Sequence, residues 1–353
     1  MRLRRWLKRI LLGVLILLIL ALGAGVIYEQ ASRRHAAREF PAPGKLIDIG
    51  GRRIHLDCEG SGSPIVVLES GADTSGSVLW YPVQKAAAQF TRVCSYDRAG
   101  LMWSDAGPLP RDGNAIVSDL HKALDAAQEK GPYVMVGASL GGPLVMLYAK
   151  HFGPDVAGLV FVDAAHPDQT RRLEQATGKK EVIPWWFGLV KPLIYTGWTG
   201  LPRLLLPTPN LPELPPIAVE EIAAYQPISL GPSFDEADAM EDTFREAGDF
   251  RGLGDRPLAV LSHGKPWNAY SPAQQEGSGL TQKEFEAHEK EWARMQDEEA
   301  TWSSDSTHRT LLDSSHVIQL EQPSAVVAAI REVVEKVQAK SADRAKAGAA
   351  QQK

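Results

Sequence analysis

The chain has 353 residues, 44% of them hydrophobic and 23% charged, which is enough to bury one large core or two ordinary ones and too apolar for disorder over most of its length. Its formal net charge of -5 offers no general attraction to phosphates, and the basic residues gather near the N-terminus, so a nucleic-acid partner is set aside. Two cysteines, Cys58 and Cys94, allow at most one bridge and exclude a disulfide framework or a cysteine-built zinc site.

In chain order, the first element is the uncharged run Ile10 to Ile27, preceded by Arg2, Arg4, Arg5, Lys8 and Arg9. It is near the lower length limit for a membrane-crossing helix, and the basic flank places that end in the cytoplasm and the remainder outside. Arg33, Arg34 and Arg38 weaken that bias. A cleaved signal peptide is the alternative, with Ala21, Gly23, Ala24 and Gly25 near a cleavage point; the run exceeds the roughly 7–15 residues of a signal core, which favours an uncleaved anchor. Residues 29 to 44 are polar and basic and end in Phe-Pro-Ala-Pro-Gly, which reads as a linker.

Residues 45 to 337 read as one domain. Strands are expected at 46–50, 53–58, 65–68, 92–96, 133–137 and 158–163, alternating with helical patterns, the signature of an α/β sheet. A helix from Ala115, capped by Asn114, would align Ile116, Leu120, Ala123, Leu124 and Ala127. Cys58 and Cys94 fall on the second and fourth of these strands. From 167 to 250 the alternation stops, and prolines stand among apolar residues such as Trp185, Trp186, Phe187 and Trp198. This is too apolar for a solvated linker and reads as a cap of short helices and turns. Strands return at 257–262 and 309–312, separated by a helix with Phe285, His288, Trp292, Met295, Glu299 and Trp302 on one face. A last amphipathic helix follows Pro323, and the Ala-, Lys- and Gln-rich stretch 338–353 reads as disordered.

Val134-Met135-Val136-Gly137-Ala138-Ser139-Leu140-Gly141-Gly142 is a buried strand, a Gly-x-Ser-x-Gly turn and an apolar helix, the context of a nucleophile elbow. The strained turn needs small neighbours, and the glycines supply the room. A serine hydroxyl is a weak nucleophile at neutral pH, so it needs an imidazole to take its proton and a carboxylate to orient that imidazole. His316, after the 309–312 strand, fits the base; its competitor His308 precedes that strand.

These motifs resemble the α/β-hydrolase superfamily over about residues 45 to 337, and particularly bacterial esterase-like members with Asp-Arg-x-Gly after the fourth strand, here Asp97-Arg98-Ala99-Gly100. The resemblance implies a mostly parallel sheet with helices on both faces, an inserted cap, and a structural role for Asp97. It also implies an oxyanion hole from the backbone N–H of Leu140 and of Ala72, although Glu69-Ser70-Gly71-Ala72 departs from the more usual His-Gly opening. In many relatives the acid ends the seventh strand, where Gly264-Lys265-Pro266-Trp267-Asn268 holds no carboxylate. Asp163, ending the sixth, is the candidate, against Asp305, Glu276 or a purely structural Asp163. The expectation is a Ser139-His316-Asp163 esterase, without metal or organic cofactor, taking a small apolar ester under the Trp-rich cap. Amidase or acyltransferase chemistry would use the same triad. A catalytically silent domain that binds a ligand or partner at the membrane is the rival from another class.

Overall fold

The computed structural model describes residues 2–180 and 187–351. Its first element, α1 (Arg2–Glu39), is one continuous helix, so the linker expected at 29–44 is confined to the few residues beyond Glu39. Two causes carry the helix on. Ala, Arg and Glu are strong helix formers, and Ala36 is buried against the body of the protein among Trp103, Ile222 and Tyr225. Pro41 and Pro43 then forbid further helix. The apolar stretch makes α1 a candidate membrane span: it is long and apolar enough, and no residue of its 18-residue apolar window is buried.

The sheet has eight strands, β1 (Lys45–Asp48), β2 (Arg53–Glu59), β3 (Ile65–Glu69), β4 (Val93–Tyr96), β5 (Tyr133–Ala138), β6 (Val156–Val162), β7 (Leu258–His263) and β8 (Ser306–Leu311), in the order β1-β2-β4-β3-β5-β6-β7-β8. Only β2 runs antiparallel to its neighbours. The central strands are apolar along their whole length because successive side chains enter different cores. In β5, Tyr133 and Met135 face one side, while Val134, Val136 and Ala138 face the other. The first face is covered by α3 (Gly113–Ala126) and α4 (Gly141–His151), the second by α2 (Tyr81–Ala87) and α13 (Pro323–Gln351). α13 runs through the stretch expected to be disordered, and Lys340 bonds Asp305 and Asp255 across from it; its Ala, Lys and Gln are helix formers once such contacts hold them. α3 begins two residues earlier than expected, with the Ala115 N–H satisfied by the Asp112 carboxylate, while Asn114 lies inside the helix.

The cap comprises α5 (Gln169–Thr177), α6 (Phe187–Ile194), α7 (Leu201–Leu205), α8 (Pro216–Asp238) and α9 (Met240–Gly248). It is helical as expected, but α8 is 23 residues long despite Pro227 and Pro232 inside it. Trp185 and Trp186 lie outside the described residues. Between β7 and β8 a second excursion carries α10 (Pro272–Gly277) and α11 (Gln282–Ala300), and α12 (Ile318–Glu321) precedes α13.

Candidate active site

The turn after β5 puts Ser139 in the left-handed region, φ 51°, a strained conformation for a residue with a Cβ. It is held by its N–H donating to Val162 O at 3.2 Å and its own carbonyl accepting from Gly142 and Ala165. The flanking glycines leave no alternative: a Cβ on Gly137 would stand 2.4 Å from the Gly141 carbonyl oxygen, and one on Gly141 2.5 Å from that of Glu69. Leu140 sits at the N-terminal end of α4. On the other side of Ser139 the loop after β3 passes so close that a Cβ on Gly71 would meet the serine side chain at 3.0 Å; Ala72 is the next residue of that loop.

Arg98 holds this loop from behind. Its guanidinium is buried, donates to the Ser70 carbonyl at 2.9 Å and to the Gly71 carbonyl at 2.6 Å, and pairs with Glu69 and with Glu236 of α8. Asp97 accepts from the His55 ring at 2.7 Å and from the Ser77 N–H at 2.8 Å, away from Ser139. The Asp-Arg-x-Gly segment thus builds the wall behind the loop rather than reaching the serine.

His316 follows β8 in a loop tied down by Glu321, which accepts from the Ser315 N–H at 2.6 Å. Its Nε2 is 2.9 Å from Ser139 Oγ and its Nδ1 is 2.5 Å from Asp163 Oδ2. A carboxylate takes only a donor, so Nδ1 carries the proton and Nε2 is left to accept the serine O–H. Asp163, just past β6, is fully buried with φ 48°. The competing residues are elsewhere: His308 bonds Ser262 and Asp297, Asp305 pairs with Lys336 and Lys340, and Glu276 is exposed on α10.

Sequence reasoning missed a second imidazole on the same carboxylate. His263 ends β7, the strand end that carries no acid, and its Nδ1 is 2.5 Å from Asp163 Oδ2 while its Nε2 is 2.7 Å from Glu289 on α11. Asp163 Oδ1 also accepts from the His263 N–H and from Trp292 Nε1, each at 3.0 Å. Burial alone would raise Asp163, but the hydrogen bonds and charges of His263 and His316 outweigh it and hold the carboxyl well below the usual carboxylate range. Burial likewise opposes the charge on His263, yet its bonds to Asp163 and Glu289 push it up to about 10, so it is an imidazolium at neutral pH. The signal available was a histidine closing an apolar strand beside Gly264.

A cavity of about 510 Å³ opens over Ser139 and His316. Its apolar wall is Trp267, Tyr270, Phe285 and Trp292 with Leu173 of α5; its polar wall includes Gln274, Gln275, His288 and Glu289. The expected entrance under the Trp-rich segment is therefore corrected among the described residues: the aromatic wall comes from the β7–β8 excursion, and Trp198 lies exposed beside α1. A sequence pass could not assign this, because both segments carry tryptophans and only the strand order brings 267–292 over the serine.

An eight-stranded, largely parallel sheet with a serine on the turn after β5 and a histidine after β8 defines a class of hydrolase-type folds. Residues 65–330 match the alpha/beta hydrolase family, and the chain belongs to it. Among curated proteins it is 37% identical over 128 residues to a probable transporter, efuK, of Hormonema carpetanum, covering 34% of this chain and 18% of that one. It is 24% identical over 166 residues to the uncharacterized protein YbdG of Bacillus subtilis, covering 46% of this chain. The chain thus spans 18% and 50% of the length of these two relatives. Among solved structures it resembles a thermophilic esterase from Thermogutta terrifontis (TM-score 0.53, 19% identity, 83% of this chain and 98% of that one). It also resembles a putative epoxide hydrolase from Pseudomonas aeruginosa (TM-score 0.57, 16% identity, 85% and 98%). At these identities the structural likeness speaks to the fold.

Proposed function

We propose that this chain is a serine hydrolase that cleaves a carboxylic ester with an apolar portion through Ser139, His316 and Asp163. The observation that carries the reading is the unbroken relay from Ser139 Oγ through both nitrogens of His316 to Asp163. As Oγ attacks the ester carbonyl carbon, its proton passes to His316 Nε2, and Asp163 stabilises the imidazolium through Nδ1. The oxyanion is met by the N–H of Leu140, strengthened by its place at the head of α4, and by that of Ala72. His316 then protonates the leaving alkoxide, giving an acyl-serine. A water, deprotonated by the same nitrogen, attacks that acyl carbon; Ser139 Oγ leaves, recovers its proton, and a carboxylic acid is released. A serine at the elbow, where epoxide hydrolases and haloalkane dehalogenases of this fold carry a carboxylate, favours acyl transfer. The aromatic wall of the cavity suits the apolar portion.

A fluorophosphonate probe tests the core of this reading. Wild type is expected to label and Ser139→Ala not to; a folded wild type that stays unlabelled would instead support the silent binding domain. A series of ester chain lengths on labelled-competent protein then defines the acyl preference.

The apolar stretch of α1 is read as an uncleaved span with the hydrolase domain outside. Two observations support it. The stretch itself docks on the cap at Gly25, against the Thr199 carbonyl, a contact that cleavage near Gly25 would remove, and the same helix continues to Glu29 and Ala36, which also meet the cap. Cys58 and Cys94, opposite one another on β2 and β4, form a disulfide, which fits an oxidising compartment. Resistance of the full chain to carbonate extraction is the expected result.

A further inference from the structure

α1 and the cap meet where the apolar stretch ends. The Thr199 carbonyl lies directly on Gly25, where a Cβ would stand 2.3 Å from its oxygen. Two turns of segment 197–205 are then locked in place by Glu29, whose buried carboxylate accepts from Arg203 Nε at 2.9 Å and from Arg33 Nε at 2.8 Å. Burial would raise Glu29, but these two guanidiniums more than offset it and hold the carboxyl below its ordinary value. Segment 197–205 is thus fixed at the height of residues 25–29 of α1, which is where the run Ile10–Ile27 passes into basic helix.

At that height the cap turns apolar side chains outward. Trp198 is 52% exposed, Leu204 67% and Leu205 69%, and Tyr195 is exposed nearby. Exposed large apolar side chains gathered in one short segment mark an interaction surface, and tryptophan and tyrosine beside a span are characteristic of the membrane–water boundary. Exposed Arg34 and Arg38 stand further along α1, Arg34 about 10 Å beyond Ile27 at the rise of an α-helix, where lipid phosphates would lie.

We propose that the α6–α7 segment is an interfacial collar whose Trp198, Leu204 and Leu205 enter the headgroup–acyl boundary of a phospholipid bilayer. The proposal rests on the reading of α1 as a span. The occupant is lipid because the segment that carries these side chains packs directly on α1 at the end of its apolar stretch and is held there by the Glu29–Arg203 pair. Its effect is to seat the cap on the bilayer, so that the hydrolase domain does not tumble freely on a tether.

The test uses the full chain in nanodiscs of mixed zwitterionic and anionic phospholipid, its native disulfide intact. A fluorophore is placed at Leu205→Cys, at Leu204→Cys as a second collar site, at Leu15→Cys within the span, and at Asp255→Cys before β7, beyond the opposite strand ends. Nitroxides are carried either on the lipid headgroup or near the bilayer centre. Headgroup nitroxide is expected to quench both collar sites and to leave the Asp255 site bright, while the central nitroxide quenches the Leu15 site. If the Leu15 site is quenched and both collar sites behave like the Asp255 site, the collar is overturned and the span stands. If none is quenched, the span fails and the collar with it. Collar sites shielded from aqueous iodide yet not quenched by lipid nitroxide would assign the patch to a second copy of the chain and overturn the proposal.

Discussion

Asp163 accepts four hydrogen bonds, from His316 Nδ1, His263 Nδ1, the His263 N–H and Trp292 Nε1, and with that many donors it stays ionised although fully buried. An amide in its place would turn a donor toward one of the imidazoles. Asp163→Asn is expected to remain folded and to lower kcat by about 10⁴, the scale of leaving a catalytic imidazole in the wrong tautomer. Near wild-type turnover in folded protein would place the acid elsewhere. Two other histidines make opposite pH predictions for stability. His263, pushed up to about 10, keeps its proton in the folded state where an ordinary histidine releases it near about 6.5. Its contribution is therefore full below that value and is lost as pH rises through 10. His166 is buried, which outweighs nearby carboxylates and lowers it to about 4, and its Nδ1 accepts the Asp168 N–H at 3.0 Å. The unfolded chain takes up that proton first, so stability is lost as pH falls from about 6.5 toward 4. Melting curves against pH should show the alkaline loss reduced in His263→Gln and the acid loss reduced in His166→Gln; variants that track wild type in those windows would refute these assignments.

Among the elements, β2 and β4 are joined in register at Cys58 and Cys94, closing a loop with a sequence separation of 36. The chain-entropy argument values such a cross-link at on the order of 3–4 kcal/mol. Replacing both cysteines by alanine should lower the urea midpoint and steepen the slope, because the unfolded chain expands once the cross-link is gone, and an unchanged midpoint would mean that this bond constrains the unfolded chain little. The elements themselves were legible where periodicity was strong. The buried strands at 65–68, 133–137 and 158–163 follow from short continuous apolar runs, and the faces of α3, α11 and α13 from 3.6-residue spacing. At the two ends of the chain the errors have one cause, local composition overruled by distant contacts, and at α3 the choice lay between two neighbouring capping residues. Residues 29–39 looked like linker but are helix docked on the cap, the 338–353 stretch looked disordered but is helix through Gln351, and Asp112 rather than Asn114 caps α3.

Over the whole molecule, one guanidinium ties the loop after β3 to the cap. Arg98 joins the β3 loop carbonyls and Glu69 to Glu236, 138 residues away along the chain. Removing it leaves two buried carboxylates facing each other, which costs about 3–5 kcal/mol in comparable buried pairs. Arg98→Ala should therefore lose that much in urea unfolding, and Arg98→Lys, which cannot reach four acceptors in a plane, should recover part of the stability but little of kcat. Equal activity in the lysine variant and wild type would show that the loop is held by its own packing.

By itself the sequence determined the Gly-x-Ser-x-Gly turn around Ser139, the position of His316 after the last strand, the apolar stretch of α1 and the α/β class, because each is written in spacing along the chain. Asp163 was reachable only by elimination, as the carboxylate closing an apolar strand. What the tertiary structure alone decided is everything that depends on which strand ends are neighbours. The β6–β7 register sets His263 beside Asp163, the β7–β8 excursion rather than the Trp-rich segment walls the cavity, and Glu29 meets Arg203 across 174 residues. These contacts carry no periodicity, and parallel pairing between distant strands leaves no local mark on the residues it brings together.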